Sequence, residues 1–335
     1  MGIKAYITGI EYYLPKKRRE NEYNRLTKKT GIRALHISDK NETASDLAFK
    51  AAEKLLSGGI DKDEIGFLLF CTQSPDYYLP TTACILQDRL CLSTDCGALD
   101  FNLGCSGYVY GLSLAKGLIE SGQVKKILLL TGETYSKYIN EEDNAVKPLF
   151  GDAGTATIVE AVDTKIDGMS SFVLGTNGAG YGNLIVPIGG SKNNVLDTPV
   201  VEEVDTYGNR RLNSNLYMNG AAISDFALEV VPKTVDAILK KEKIGRNQVN
   251  YYVFHQANKF MLQFLQQKCE LLDVPFWNDI SEYGNTVSNS IPIALTDLMN
   301  TKPNMKMEKV MLLGFGVGLS WGGCIVNLSM KCKGI

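Results

Sequence analysis

The sequence predicts a layered α/β protein made of two halves. Short apolar segments of strand length, such as residues 65–72 (IGFLLFCT) and 126–131 (KILLLT), alternate with segments of helical apolar spacing. That alternation starts afresh near Asp167-Gly168. The chain has 335 residues, room for about two domains of ~150. The expected halves are residues 1–165 and 166–335, each around a mostly parallel sheet, because a helix intervenes between most strands.

Taken in order, residues 5–13 (AYITGIEYY) read as a strand stopped by Leu14-Pro15. Residues 17–29 are charged and polar and read as a surface helix and loop. Thr43 is an N-cap candidate for a helix over 43–56, with apolar positions at Ala44, Leu47, Ala48, Ala51, Ala52 and Leu55. A buried strand follows at 65–72, a helix at 80–90 beginning at Thr81, and a strand at 98–102. The stretch from Tyr108 to Ile119 is apolar on nearly every side, so its helix belongs at the centre of the molecule. Further strands are expected at 126–131, 155–162 and 170–175. Residues 177–212 are rich in Gly, Asn, Asp and Pro, the longest irregular region and a candidate lid or interface arm. The second half continues with a helix at 223–240, a strand at 251–254, and helices at 259–269 and 287–299. Strands at 310–314 and 324–330 close it. The halves are not alike in sequence, so a duplication rests on their rhythm alone.

Composition narrows the function. The net charge is −2, which gives no attraction to nucleic acid or to an anionic membrane. No apolar run approaches the ~20 residues of a membrane span. The first residues, MGIKAYITGI, lack the apolar core and cleavage site of a signal peptide. Eight cysteines occur without a C-x-x-C pair, several of them inside apolar runs. They read as reduced thiols of a cytoplasmic enzyme. His36 and His255 are the only histidines, and no zinc, EF-hand or P-loop spacing is present, so neither metal nor cofactor is expected.

Cys105 stands in NLGCSGY, between the strand at 98–102 and the central helix. Gly104 and Gly107 let the backbone pass closely there. The free N–H groups of the helix start favour a thiolate and should lower the thiol pKa. A packed core cysteine fits the same context equally well. His255 ends the strand YYVF, at the kind of strand terminus where α/β sheets place their sites. A satisfied core histidine is the commoner outcome. Yet Cys105 holds the matching position in the other half, and a thiolate with an acid/base partner needs that pairing. Asn285, in YGNTVSNS, is either a helix cap, as Ser288 could also be, or an amide donor that stabilises an oxyanion. The glycine-dense turn GFGVGLSWGG lacks G-x-G-x-x-G spacing and offers backbone N–H groups to a ligand.

Together these four stretches, with TGIR at 30–33, FGDAGTA at 150–156 and MNGAA at 218–222, resemble the ketoacyl-ACP synthase III family, where ACP is acyl carrier protein. The resemblance covers nearly the whole chain. It implies a thiolase-like fold of duplicated αβαβα layers, a homodimer, and a Cys-His-Asn site formed by Cys105, His255 and Asn285. Cys105 would take an acyl group from acyl-CoA or acyl-ACP. Malonyl-ACP would then lose CO2, with His255 and Asn285 stabilising the enolate, and the carbanion would attack the acyl thioester. The backbone N–H groups of Cys105 and Val317 would form the oxyanion hole. Lys29, Arg33, Leu79, Asn219, Gly316 and Phe260 fall where the family contacts its substrates.

Several positions depart from the family pattern. Arg25 and Asn144 stand where starter enzymes clamp the CoA adenine between Trp and Arg, and Lys29 replaces a further Arg. Phe260 replaces the Arg that docks ACP, with Lys259 beside it. Leu79 replaces an acyl-pocket Phe, with Gln73, Tyr77 and Tyr78 nearby. Val317 replaces the middle glycine of the oxyanion turn. These departures imply a non-standard starter. The other readings are an acyltransferase to an alcohol or amine, an inactive partner subunit of a condensing enzyme, and, more weakly, a thiolase.

Overall fold

A computed structural model of the chain describes residues 2–303 and 307–328. Strands β1 (Gly2–Tyr13), β2 (Phe67–Cys71), β3 (Gly97–Phe101), β4 (Lys126–Glu133) and β5 (Ala153–Thr164) form one sheet, in the order β1-β5-β4-β2-β3. Strands β6 (Met169–Thr176), β7 (Tyr251–Phe254), β8 (Val310–Gly316) and β9 (Ser320–Val326) form the second, in the order β6-β9-β8-β7. The four strands of the second sheet match the first four of the five-stranded one. In each, the first two pairings are antiparallel and the next is parallel. Where β3 lies parallel to β2 in the first sheet, the second has one parallel bridge, from Phe276 to Tyr252 of β7. The duplication that the sequence shows only as rhythm is therefore a duplication of topology.

The helices are α1 (Arg25–Thr30), α2 (Ala44–Leu56), α3 (Thr82–Arg89), α4 (Gly107–Glu120), α5 (Gly220–Glu242), α6 (Lys259–Lys268), α7 (Ile280–Tyr283) and α8 (Ser290–Thr301). Successive strand residues face opposite sides of a sheet, and this alternation builds five layers. On β2 and β4, Leu68, Phe70, Leu128 and Leu130 face outward onto α2 and α3. Leu69, Ile127 and Leu129 face inward onto α4. On β7 and β8, Tyr251, Val253, Val310 and Leu312 face inward, and Tyr252, Phe254, Met311 and Leu313 face outward onto α5 and α6. Helices α4 and α8 fill the slot between the sheets. Thr43 caps α2 in a reciprocal box, accepting from Asp46 N while its own N–H donates to the Asp46 carboxylate (2.9 Å). Among the described residues no helix is long and apolar enough to cross a membrane.

Five expectations change. The sheets are mixed rather than mostly parallel. The turn between β8 and β9 spans only Val317 to Leu319, too short for a crossover, so those strands must be antiparallel. Residues 17–29 include a strand, Arg18–Glu20, paired with Ala34–His36. The irregular region holds a hairpin, Glu202–Val204 against Arg210–Leu212, and a short pairing of Leu184-Ile185 with Tyr217-Met218. Helix α8 begins at Ser290 rather than at 287, because Val287 sits at φ +55°, outside the α region. The closing strand starts and ends earlier than expected, and residues 329 and 330 lie outside the described residues.

Leu129 is fully buried against α4, whereas Leu114 on the same helix is partly exposed. Leu129→Ala should cost about 3 kcal/mol of unfolding free energy in urea titration. Leu114→Ala should change it by no more than about 0.5 kcal/mol.

Candidate active site

Strand β3 ends at Phe101, and four residues later Cys105 stands in the turn that leads into α4, two residues before its first residue. The turn is tight. A Cβ on Gly104 would overlap Val317 Cγ1, and one on Gly107 would overlap Cys71 Sγ. Cys105 is 5 % exposed. It meets the second half at Gly316, where a Cβ would lie 3.0 Å from the sulfur. The next residue, Ser106, bonds Ser320 across the halves, Oγ to Oγ at 2.7 Å. Cys105 also belongs to an apolar cluster with Tyr135, Phe150 and Val287.

His255 follows β7 directly, and its N–H donates to Leu313 O on β8 (2.8 Å). Its ring meets Phe315 edge-on, with centroids 5.5 Å apart. Phe315 is the residue before Gly316, so the end of β8 carries both the histidine and the cysteine contact. Nδ1 of His255 pairs with Ser290 Oγ at 2.7 Å, which leaves Nε2 for chemistry. Asn285 is buried, and its backbone joins Leu149 and Gly151 of the first half. Asn285 Oδ1 accepts from Val287 N (2.9 Å), so its Nδ2–H is the group it can offer a ligand. It does not cap α8, whose N-cap residue is Asn289.

Burial governs the ionisation here. It pushes His255 down to about 3, so the imidazole is neutral at physiological pH. It also pushes the Cys105 thiol above its ordinary range, and the Glu133 carboxylate acts in the same direction. A hydrogen bond with the backbone N–H of Cys105 itself opposes them. The lowering expected from the helix start is outweighed, because the sulfur sits in an apolar cluster rather than in a wet cleft. Glu133 ends β4 and is fully buried. Desolvation raises its carboxyl to about 8 against the pull of donors from Gln73, Ser288 and Ser74.

A cavity of about 830 Å³ opens beside this centre. Gln73, Asn102, Tyr135, Tyr138, Leu184 and Val317 are among its walls. Tyr135 donates to Gln73 Oε1, and Tyr138 OH donates to Gln73 O (3.1 Å), so both hydroxyls are paired with the same wall residue. Tyr77 and Tyr78 also line it, whereas Leu79 is 82 % exposed and does not.

The remaining sequence-derived positions lie elsewhere. Lys29 Nζ sits 4.1 Å over the Phe260 ring, joining α1 to α6. Phe260 is 42 % exposed, Lys259 is exposed, and its side chain packs on Gly31. Arg33 is exposed and donates through Nε to Glu282 (2.7 Å). Asn219 caps α5, accepting from Ala222 N (3.2 Å). Arg25 and Asn144 are both exposed. The described cysteines other than Cys105 are also unpaired, and Cys332 lies outside the described residues. Sequence reasoning missed Glu133 and Ser290. The available signal was an acidic residue closing an otherwise apolar strand, KILLLTGE.

Two topologically matched halves define a thiolase-like condensing-enzyme fold, with the cysteine after β3 of one and the histidine after β7 of the other; β7 matches β2 rather than β3, so the two residues do not hold the equivalent positions the sequence suggests. The comparisons with known proteins narrow the class. The 3-Oxoacyl-[acyl-carrier-protein (ACP)] synthase III profile matches residues 99–178, and the profile of that family's C-terminal part matches residues 239–328. A putative 3-oxoacyl-[acyl-carrier-protein] synthase 3 of Campylobacter jejuni is 36 % identical, covering 90 % of this chain and 84 % of its own. A beta-ketoacyl-[acyl-carrier-protein] synthase III of Clostridioides difficile is 32 % identical over 98 % of this chain and all of its own. A crystal structure of a 3-oxoacyl-(acyl-carrier-protein) synthase III superposes with a TM-score of 0.94 at 43 % identity, covering 97 % of this chain and 100 % of that one. The chain belongs to the 3-oxoacyl-[acyl-carrier-protein] synthase III family.

Glu133 makes stability depend on pH in a defined direction. In the fold it holds its proton up to about pH 8, while an ordinary Glu ionises near 4.5. Between those values the unfolded chain binds fewer protons, so the fold loses stability as pH rises through the window. His255 has the opposite sign: its contribution is lost as pH falls below about 6.5. Glu133→Gln removes only the first effect. The unfolding free energy of the variant in urea titration should gain on the wild type from pH 5 to pH 8, by at most about 1.4 kcal/mol per pH unit. A gap independent of pH contradicts this assignment.

Proposed function

We propose that the enzyme works by a two-step thiol mechanism, with Cys105 as acyl carrier and His255 and Asn285 as the enolate-binding pair. The observation that carries this reading is that Cys105 and His255, from opposite halves of a duplicated fold, pack on neighbouring residues at the end of β8, Gly316 and Phe315. In the first step the thiol of Cys105 attacks an acyl-CoA or acyl-ACP thioester. The carrier thiol leaves, and the acyl group stays on sulfur. The thiol proton needs an acceptor, and neutral His255 has one lone pair on its ring. The Ser290 hydroxyl donates to Val287 O at 3.0 Å. In that state Nδ1–H donates to Ser290, and Nε2 carries the lone pair.

In the second step malonyl-ACP binds and its C–C bond breaks. CO2 departs, and the electron pair passes to the thioester carbonyl as an enolate. For this step the Ser290 hydroxyl turns to donate to Nδ1, which puts the imidazole proton on Nε2; Nε2–H of His255 and Nδ2–H of Asn285 then hold that oxygen. The carbon then attacks the acyl thioester, and Cys105 leaves as thiolate. The backbone N–H groups of Cys105 and Val317 hold the second oxyanion. Gly316 supports this role, since any side chain there would press on the sulfur. No cofactor enters either step.

The acyl chain occupies the cavity walled by Gln73, Tyr135 and Tyr138, whose volume accepts a group much larger than acetyl. Lys29, Lys259 and Phe260 form the face offered to the carrier protein, and Arg33 is held beside it through Glu282. Leu79, exposed in the single chain, is part of the contact in a homodimer. Asn219 sets the start of α5 near the substrate. The enzyme acts in the cytoplasm, where its cysteines stay reduced.

Intact-mass measurement after exposure to a panel of acyl-CoA and acyl-ACP thioesters tests the first step. One acyl addition is expected on the wild type and none on Cys105→Ala. Malonyl-ACP should then release CO2 and a β-ketoacyl product. His255→Ala and Asn285→Ala should each slow CO2 release by about 100-fold or more. An adduct that persists in Cys105→Ala, or an acyl group that leaves only to alcohols or amines, sinks the reading.

A further inference from the structure

We propose that Glu133 is a positioning residue for the decarboxylation step, through its hold on the turn that carries Asn285 and Ser290. The proposal rests on the reaction assigned above and adds a residue to it.

The turn from Asn285 to Ser290 belongs to the second half, yet it is tied down by the first. Glu133 Oε1 accepts from Ser288 Oγ (3.1 Å) and from Gln73 N (3.2 Å). Its Oε2 lies 3.1 Å from Ser74 Oγ and 3.2 Å from Gln73 N, and in the neutral carboxyl this oxygen carries the proton and donates to Ser74. Thr131 stands two residues earlier on β4, on the same face. Its Oγ1 donates to Asn289 Oδ1 at 2.6 Å, and Asn289 Nδ2 donates to Thr286 O at 3.0 Å. Two polar groups on one strand face therefore grip two consecutive residues of the turn.

The turn needs that grip. Val287 sits at φ +55°, and a β-branched residue holds such a conformation only where its surroundings over-determine it. The reactive groups hang on either side of this point. Asn285 is joined to Val287 N, and Ser290 is joined to both Val287 O and His255 Nδ1. A shift of Val287 moves the amide and the imidazole together. Glu133 also holds Gln73, a wall of the acyl cavity, so one buried carboxyl registers both sides of the site. An apolar side chain could fill the same volume without desolvating a carboxyl, but it would give the turn no direction.

Three variants test this: Ser288→Ala, Glu133→Ala and Glu133→Gln. For each, acylation of Cys105 is followed by intact mass, CO2 release from malonyl-ACP by the preacylated enzyme, and thermal unfolding by calorimetry. Acylation, which uses only the imidazole of the pair, should fall by no more than about tenfold in Ser288→Ala, and somewhat further in Glu133→Ala, which also frees Gln73. Their kcat for CO2 release should fall by about 100-fold, with KM for malonyl-ACP nearly unchanged. Glu133→Gln keeps an oxygen that accepts from Ser288 and should recover at least about tenfold of that loss. A parallel fall of both half-reactions, or normal CO2 release in Ser288→Ala, overturns the proposal. If Glu133→Ala does not fold, Ser288→Ala and Glu133→Gln decide by the same criteria. A wild type that forms no adduct on Cys105 overturns the underlying reading with it. A wild type and a Ser288→Ala variant that both run both steps overturn the proposal alone.

Discussion

Helix α4 presents apolar side chains in nearly every direction, and a slot between two sheets removes them all from water. Much of the molecule follows from that requirement. A second sheet must cover the side of α4 that the first leaves bare. The second half supplies it, together with α8 as a partner in the slot. The start of α4 is thereby forced against β8 and β9. Cys105 meets Gly316 there, and Ser106 meets Ser320. The site is a consequence of burying one helix from both faces.

The same burial sets the chemistry. A dry slot disfavours charge, so the thiol is pushed up, the imidazole down and the Glu133 carboxyl up. All three rest in neutral forms. That suits an enzyme that must hold an acyl thioester and then bind an enolate through hydrogen bonds rather than through a standing positive charge. Hydrogen bonds to a developing oxyanion are stronger in such a medium. Loss of CO2 supplies the carbanion, so no strong base has to survive in the dry site.

The strand and helix rhythm was legible because alternation and helical spacing are local signals. The N-cap at Thr43, the central helix and the strand ending at His255 all lie within a few residues of what produces them. Sheet direction was less legible, since it depends on the length of a turn such as that after Gly316. The long polar segment read as irregular because one of its pairings, Leu184 with Met218, joins distant residues, and its hairpin strands are only three residues each. Cys105, His255 and Asn285 stood out through residue type and motif order. Glu133 did not, because its partners Gln73 and Ser288 lie 60 and 155 residues away. The direction of the thiol shift was misread for a related reason. The helix start is visible in sequence, whereas Tyr135, Phe150 and Val287 around the sulfur come from three separate segments. Leu79 aligns with a pocket residue by position, while the single chain leaves it on the surface and gives the cavity wall to Tyr77 and Tyr78.

A crystal structure of the enzyme after reaction with an acyl thioester tests the account most directly. Density should run unbroken from Cys105 Sγ, with the carbonyl oxygen directed at the backbone N–H groups of Cys105 and Val317. The acyl chain should enter the cavity between Gln73, Tyr135 and Tyr138. Density on another cysteine, or a chain that leaves Cys105 away from that cavity, would contradict it.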